Sequence, residues 1–291
     1  MESMMKTIGF IGTGVMGSSM INHLLQAGYP VNVFNRTKNK ADAVVADGAV
    51  WYDTPGQVTK YSDVVISIVG YPKDVEEIYF GHNGIFSEAD SHHILIDMTT
   101  STPSLAKKIY DFGKEKGVQT LDAPVSGGDK GAKNGTLTTM VGGDQAAFAA
   151  AKDILDNFSS KVMLQGPAGS GQHTKMANQI MIAGTMTGMT ELLVYAKAAG
   201  LDIEKVIEQV GSGSAGNWSL SNYAPRILKE DYTAGFFVKH FIKDLKIALD
   251  EAEKMNLDLP ATKLAAQLYE KLAGKGFEND GTQALIKLWW G

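Results

Sequence analysis

The chain has 291 residues, enough for two domains, and its 44% apolar and 20% charged residues are ordinary for a folded globular protein rather than a disordered one. It contains no cysteine, which excludes disulfides, thiolate catalysis and cysteine-ligated zinc together. A net charge of −5 argues against nucleic acid as a main partner, and the absence of any bilayer-length apolar run argues against a membrane.

At the N-terminus no charged-then-apolar leader pattern precedes the first strand, so a cytoplasmic location is expected. That strand, predicted over 6–11, runs into Gly12-Thr13-Gly14-Val15-Met16-Gly17 and then a helix with an apolar stripe at Met16, Met20, Ile21, Leu24 and Leu25. In the pattern G-x-G-x-x-G, the first glycine allows a tight turn, the second lets a pyrophosphate approach the backbone, and the third lets helix and strand pack closely. The free amides and the positive dipole end of the helix then form an anion site. The other reading of the glycines alone is a tight strand-to-helix turn with no ligand. The next apolar run, Val31-Asn32-Val33-Phe34, completes a βαβ unit, the context in which the pattern binds a dinucleotide.

After the second strand comes Asn35-Arg36-Thr37, where an acid would ordinarily hold the ribose hydroxyls of NAD. That stretch has no acid. Arg36 offers a charged fork suited to a 2′-phosphate, and Asn35 and Thr37 add neutral hydrogen-bonding groups, which favours NADP while leaving NAD possible. The other reading of Arg36 is a solvated loop arginine in an enzyme that takes both cofactors. Alternation continues with a helix over 38–46, strands over 64–69, 94–96 and 118–121, and helices over 72–79 and 103–114.

Ligands sit at the carboxyl ends of such strands. Three loops follow them: Val69-Gly70-Tyr71-Pro72, Asp97-Met98-Thr99-Thr100-Ser101, and Asp122-Ala123-Pro124-Val125-Ser126-Gly127-Gly128. Ser126 with the amides of Gly127 and Gly128 forms either a carboxylate nest or a plain turn. Thr99 and Thr100 serve either a ligand or the N-cap of the helix that Pro103 begins. The six histidines, including His92-His93 before a strand, show no metal-ligand spacing and read as edge or surface residues, so no metal is expected.

A strand over 136–141, a helix over 144–157 and a strand over 161–164 add to the sheet, and then alternation stops. One long helix is predicted over 171–199, followed by helices over 203–210, 220–228, 236–255 and 260–272, which places a domain boundary near Gly166-Pro167. The expected domains are therefore a dinucleotide-binding domain, 1–166, and an all-helical domain, 167–291. Near the start of the long helix, Lys175 and Asn178 share one face beside Gln179. Lys175 is either a stem snorkelling to solvent or a partly desolvated amine able to exchange protons near neutral pH.

Four motifs, Gly9-Phe10-Ile11-Gly12-x-Gly14-x-Met16-Gly17, Asp122-Ala123-Pro124-Val125-Ser126-Gly127-Gly128, Gly169-x-Gly171-Gln172-x-x-Lys175-x-x-Asn178 and Lys243-Asp244-Leu245, together resemble the β-hydroxyacid dehydrogenase family. That family includes 3-hydroxyisobutyrate dehydrogenase, tartronate semialdehyde reductase, and the glyoxylate and succinic semialdehyde reductases. The motifs occur in family order and span nearly the whole chain. The resemblance implies an α/β fold: an N-terminal Rossmann-type doubly wound sheet, then an all-α domain joined by a long helix, with an active site in the cleft between them.

By the same resemblance, Lys175 matches the catalytic lysine, Ser126, Gly127 and Gly128 the carboxylate-anchoring loop, and Asn178 a substrate-side asparagine. Val69, Gly70 and Thr100 match positions lining the cofactor, beside the glycine turn from Gly12 to Gly17, and Lys243 matches a lysine at the nicotinamide end. One departure stands out: many members carry Met-Leu-Pro where this chain has Ile68-Val69-Gly70, so the side chains of that loop do not carry over. The implied reaction is hydride transfer between NADP(H) and a short β-hydroxy acid or its semialdehyde, with Lys175 as general acid/base.

The loop Gly211-Ser212-Gly213-Ser214-Ala215-Gly216-Asn217-Trp218 completes the pocket wall, or Trp218 belongs to the core. The apolar C-terminal helices, ending in Leu285-Ile286-Lys287-Leu288-Trp289-Trp290, lead to the expectation of a homodimer or homotetramer. The competing functional reading is a catalytically silent dinucleotide-binding sensor or interaction protein, which need not keep Lys175, the Ser126 loop and Asn178 together.

Overall fold

The computed structural model describes residues 5–290; residues 1–4, at the end where no leader pattern is read, and Gly291 lie outside the described residues. Two compact units divide the chain, Met1–Lys175 and Met176–Gly291.

The first unit contains, in chain order, β1 (Ile8–Ile11), α1 (Val15–Gln26), β2 (Val31–Phe34), α2 (Asp42–Ala46), β3 (Val50–Trp51), α3 (Pro55–Lys60), β4 (Val64–Ser67) and α4 (Pro72–Phe80). It continues with β5 (Ile94–Asp97), α5 (Pro103–Glu115), β6 (Gln119–Asp122), β7 (Val125–Ser126), α6 (Gly128–Asn134), β8 (Leu137–Gly143), α7 (Gln145–Leu155) and β9 (Ser159–Gly166). Six strands lie parallel in the order β3-β2-β1-β4-β5-β6, a doubly wound sheet. β1 and β4 are buried at every position, as expected where helices cover both faces of a parallel sheet.

Beyond β6 the sheet becomes mixed. β8 runs antiparallel to β6, with Leu121 opposite Gly143 and Asp122 opposite Gly142, and antiparallel to β7, with Val125 opposite Thr139 and Ser126 opposite Thr138. The register is the same in both pairings, and Met140 N donates to Pro124 O at 3.0 Å between them. β6 and β7 are thus one extended path interrupted at Ala123-Pro124, where proline has no N–H to give to the ladder. β9 pairs parallel with the other edge of β8.

Proline opens α3, α4 and α5 at the first turn, where its missing N–H costs nothing. The cap of α5 is Thr102, whose hydroxyl accepts from Leu105 N at 3.1 Å, so neither Thr99 nor Thr100 has that task. β3, α3, β7 and α6 are additions to the predicted elements, β7 within the stretch expected as a loop; each is short, so its periodicity is weak. His93 corrects another expectation: it is 1% exposed, accepting from Asp90 N through Nδ1 and facing Thr59 O through Nε2 at 3.0 Å.

The second unit is helical. α8 (Ser170–Ala198) runs on from the first unit and is followed by α9 (Ile203–Gly211), α10 (Trp218–Leu228), α11 (Val238–Lys254), α12 (Pro260–Leu272) and α13 (Lys287–Trp290). Its core includes Met186, Leu193, Leu220, Phe241 and Tyr269. Leu285 and Ile286 are also fully buried there, so part of the apolar C-terminal stretch is consumed within the unit. Trp218, by contrast, is 61% exposed at the start of α10 and is no core residue. No helix of the described residues is long and apolar enough to cross a membrane.

Candidate active site

The glycine turn has the three spatial properties its pattern requires. Gly12 has φ of 107°, and a Cβ there would collide with the Ile68 carbonyl oxygen; at Gly17 a Cβ would collide with the Gly12 carbonyl oxygen. At Gly14 a Cβ would meet nothing within 4 Å. No side chain caps α1 and no acid lies in its first turn, so the helix end stays available to an anion. The Thr13 hydroxyl is buried without a hydrogen-bond partner. Open backbone, an uncapped helix and an orphaned hydroxyl fit a dinucleotide pyrophosphate.

Asn35 braces this turn. Its Oδ1 accepts from Thr13 N at 3.1 Å and its Nδ2 donates to Thr37 O at 2.8 Å, so its amide is engaged with the backbone on both sides. The stretch 35–37 has no acid of its own, yet the fold brings one to Arg36: its guanidinium donates to Asp74 at 3.1 Å, from the first turn of α4. The signal was spatial, since thirty-eight residues separate the two. Across β4 and β5, Val69 N donates to Thr99 Oγ1 at 3.0 Å, which ties the Val69-Gly70 loop to the one holding Thr100.

Two acids end adjacent strands in register, Asp97 on β5 and Asp122 on β6. Asp97 accepts from Ser67 Oγ at 2.9 Å and Thr99 N at 3.2 Å, and burial pushes its carboxyl up to about 6 against those bonds, with the charge of Asp122 adding to the rise. Burial also raises Asp122, opposed by backbone amides. Those amides belong to the start of α8: Oδ1 accepts from Gly169 N at 2.8 Å and Oδ2 from Gln172 N at 2.9 Å. Asp122 is therefore the anion at the positive end of the helix.

Gln172 completes the anchorage. Fully buried, it donates from Nε2 to Thr99 O at 2.7 Å and accepts through Oε1 from Ser101 N at 2.9 Å. One turn further along α8 stands Lys175, 7% exposed and the last residue of the first unit. Ser126 sits at the end of the β7 ladder, followed by Gly127 and Gly128 with φ of 129° and 62°, values that L side chains rarely adopt. Asp122 thus connects the strand path leading to Ser126 with the helix carrying Lys175. Both Asp122 and Gln172 lie inside the motifs that carry the family resemblance; an acid closing an apolar strand is the signal for the first, whereas nothing in Gln172's spacing reveals its partners.

In the second unit, Asn178 Nδ2 donates to Gln179 Oε1 at 2.8 Å, and Gln179 Nε2 donates to Asp244 Oδ2 at 2.7 Å. Asp244, 1% exposed, pairs with Lys243 at 3.1 Å. A single polar chain therefore joins Asn178 to Lys243, with Gln179 and Asp244 as links the sequence reading did not assign.

The matches to known proteins agree with this arrangement. Residues 7–166 match the model of the NAD binding domain of 6-phosphogluconate dehydrogenase, and residues 169–289 that of the NAD-binding domain of NADP-dependent 3-hydroxyisobutyrate dehydrogenase. An uncharacterized oxidoreductase of Bacillus subtilis (strain 168), YkwC, is 56% identical over 98% of this chain and 99% of its own. The 2-hydroxy-3-oxopropionate reductase of Escherichia coli (strain K12) is 35% identical over 96% of each chain. Among solved structures, the 3-hydroxyisobutyrate dehydrogenase of Mycobacterium tuberculosis with L-serine superposes with a TM-score of 0.90 at 28% identity, covering 98% of this chain and 99% of that one. Fold and matches define the class, oxidoreductases that act on hydroxy acids with a nicotinamide dinucleotide. The chain belongs to the β-hydroxyacid dehydrogenase family.

Proposed function

We propose that the protein is an NADP-dependent oxidoreductase that interconverts a short β-hydroxy acid and its aldehyde or semialdehyde acid, with Lys175 as general acid/base. The observation that carries this reading is Lys175 itself: a lysine only 7% exposed, one turn beyond a helix start that Asp122 and Gln172 pin to the sheet. A lysine snorkelling to solvent would be more exposed than this. The 3-hydroxyisobutyrate and serine named for similar proteins are both β-hydroxy acids, which supports the substrate class.

The turn from Gly12 to Gly17, with Thr13, Val15 and Met16, would hold the pyrophosphate; Arg36, Asn35 and Thr37 the 2′-phosphate end; and Val69, Gly70, Thr100 and Lys243 the nicotinamide half. When bound, the reduced nicotinamide supplies a hydride to the aldehyde carbon. Ser126, Gly127 and Gly128 hold the substrate carboxylate, with Asn178 beside it, so that the carbonyl is presented in one orientation. Lys175 Nζ gives its proton to the carbonyl oxygen as negative charge develops there, and takes one back from the alcohol in the oxidative direction.

The dinucleotide-binding domain is assigned to 1–166 and the all-helical domain to 167–291. Partners are a small carboxylate-bearing substrate and further copies of the chain, as a homodimer or homotetramer in the cytoplasm. Met181, 67% exposed, lines a groove of about 640 Å³ with Ala177, Ile180, Gly184 and Leu192 in the second unit, an apolar surface suited to another copy. Sedimentation at micromolar concentration should show a species heavier than one chain, and a single-chain mass would reject the assembly. The decisive experiment is a screen of short aldehyde acids with NADPH and NADH: turnover is expected on at least one and should be lost in Lys175→Ala. A wild-type protein that binds NADPH yet turns over none of them would reject the enzyme reading.

A further inference from the structure

Arg36 and Asp74 form an ion pair of unequal partners. The Arg36 side chain is 79% exposed and that of Asp74 only 13%. Asp74 is fixed from its other side, because Oδ2 accepts from Tyr71 N at 3.1 Å at the start of α4, where the helix dipole also favours a carboxylate. The acid is therefore the stationary member, and the arginine comes to it. The bond from Tyr71 N closes a capping box from the third helical position and needs only a neutral side-chain acceptor, such as asparagine, so the negative charge of Asp74 is more than that bond requires.

We propose that Asp74 is a specificity-determining residue that restrains the preference of this site for a 2′-phosphorylated dinucleotide, acting as a fixed counter-charge to Arg36; this rests on the assignment of Arg36 to the 2′-phosphate. Two effects act in the same direction. A 2′-phosphate must compete with Asp74 for the guanidinium, and it must approach a carboxylate that cannot move away. A ribose bearing a free 2′-hydroxyl experiences neither. The site thus holds a guanidinium already half neutralised, which suits acceptance of both cofactors with a moderate bias rather than strict discrimination.

The test is calorimetric titration of 2′,5′-ADP and 5′-AMP into wild type, Asp74→Asn, Asp74→Ser, Arg36→Ala and the Arg36→Ala/Asp74→Asn double variant, at low salt. Asp74→Asn should tighten 2′,5′-ADP by about 3- to 10-fold, the scale of removing one unit charge beside an exposed dianion, and leave 5′-AMP within about twofold. The gain should shrink in the Arg36→Ala background and at high salt. Asp74→Ser, which keeps a cap acceptor, should behave alike; unchanged 5′-AMP binding in both shows an intact fold. If Arg36→Ala erodes the 2′,5′-ADP preference while both Asp74 variants leave it unchanged or weaken it, the arginine assignment stands and Asp74 is an orienting or capping residue, which overturns the proposal. If Arg36→Ala changes nothing, the arginine assignment fails and the proposal with it.

Discussion

The carboxylate of Asp122 accepts the backbone N–H of Gln172 at 2.9 Å, and through that bond the last residue of a central strand holds the first turn of the helix that carries Lys175. With Gly169 N on the other oxygen, both lone-pair faces of a buried carboxylate are committed to one helix start.

Replacing Asp122 by asparagine removes the charge and turns an NH₂ toward one of those two amides, a donor facing a donor. We expect a loss of about 2–4 kcal/mol in stability, together with a lower kcat from a displaced Lys175. Urea unfolding and steady-state kinetics on the same preparation check this. A midpoint equal to wild type would show that the two bonds contribute nothing to holding the helix.

Lys175 and Ser126 should differ in kind. Lys175→Ala is expected to lower kcat by about 10²-fold or more with NADPH affinity near wild type, because a proton donor acts on charge that appears in the transition state. Ser126→Ala should act more on KM for the acid substrate, since an anchor is used before hydride transfer as well as during it. Lys175→Arg keeps positive charge but scarcely deprotonates, so it should remain impaired. An arginine variant turning over at the wild-type rate would make Lys175 an electrostatic anchor and leave the proton to another group.

The glycine turn gives a contrast between neighbours. Gly12→Ala and Gly17→Ala place a Cβ against the carbonyl oxygens of Ile68 and Gly12, so both should be strongly destabilised or insoluble. Gly14 has open space and φ of −68°, which alanine adopts readily. Gly14→Ala should therefore keep its melting temperature while losing about tenfold or more in dinucleotide affinity, because the new methyl occupies the approach of the phosphates. Equal affinity of Gly14→Ala and wild type for NADPH would place the pyrophosphate elsewhere.

How much of this was legible beforehand varies with the kind of evidence a residue leaves in the sequence. The βαβ unit, the long helix and the switch to all-helical structure announce themselves through periodicity, so they were readable. Asp74 was not: its spacing on α4 fits an ordinary first-turn acid, and only the parallel alignment of β2, β1 and β4 brings it to Arg36. Trp218 and His93 show the same limit from opposite sides, an aromatic residue left in solvent and a histidine taken inside, because burial is settled by packing partners remote in the chain.

Asp97 predicts a pH dependence with a definite sign. Its folded carboxyl titrates near 6, above its ordinary value of 3.8, so the folded state binds the proton more tightly than the unfolded one. The stabilisation is full below about pH 4 and is lost as pH rises through 6, about 3 kcal/mol for a shift of that size. Asp97→Asn should abolish this component. Denaturant melts of wild type and variant at pH 4, 5, 6 and 7 isolate it together with its coupling to Asp122, since carboxylates that do not interact with Asp97 cancel in the difference. A difference that stays flat from pH 4 to 7 would mean that Asp97 keeps its ordinary value despite burial.

The common register of β6 and β7 against β8 also bears on how such a chain can change over time. Because Asp122 and Ser126 hang on one ladder, a single residue added or removed between them would turn Ser126 to the opposite face, even with every original side chain retained. Substitution at Ala123 or Val125 leaves that phase intact. Length between these two anchors is therefore under tighter constraint than identity, and lineages diverging in substrate are expected to vary the intervening letters while keeping their count.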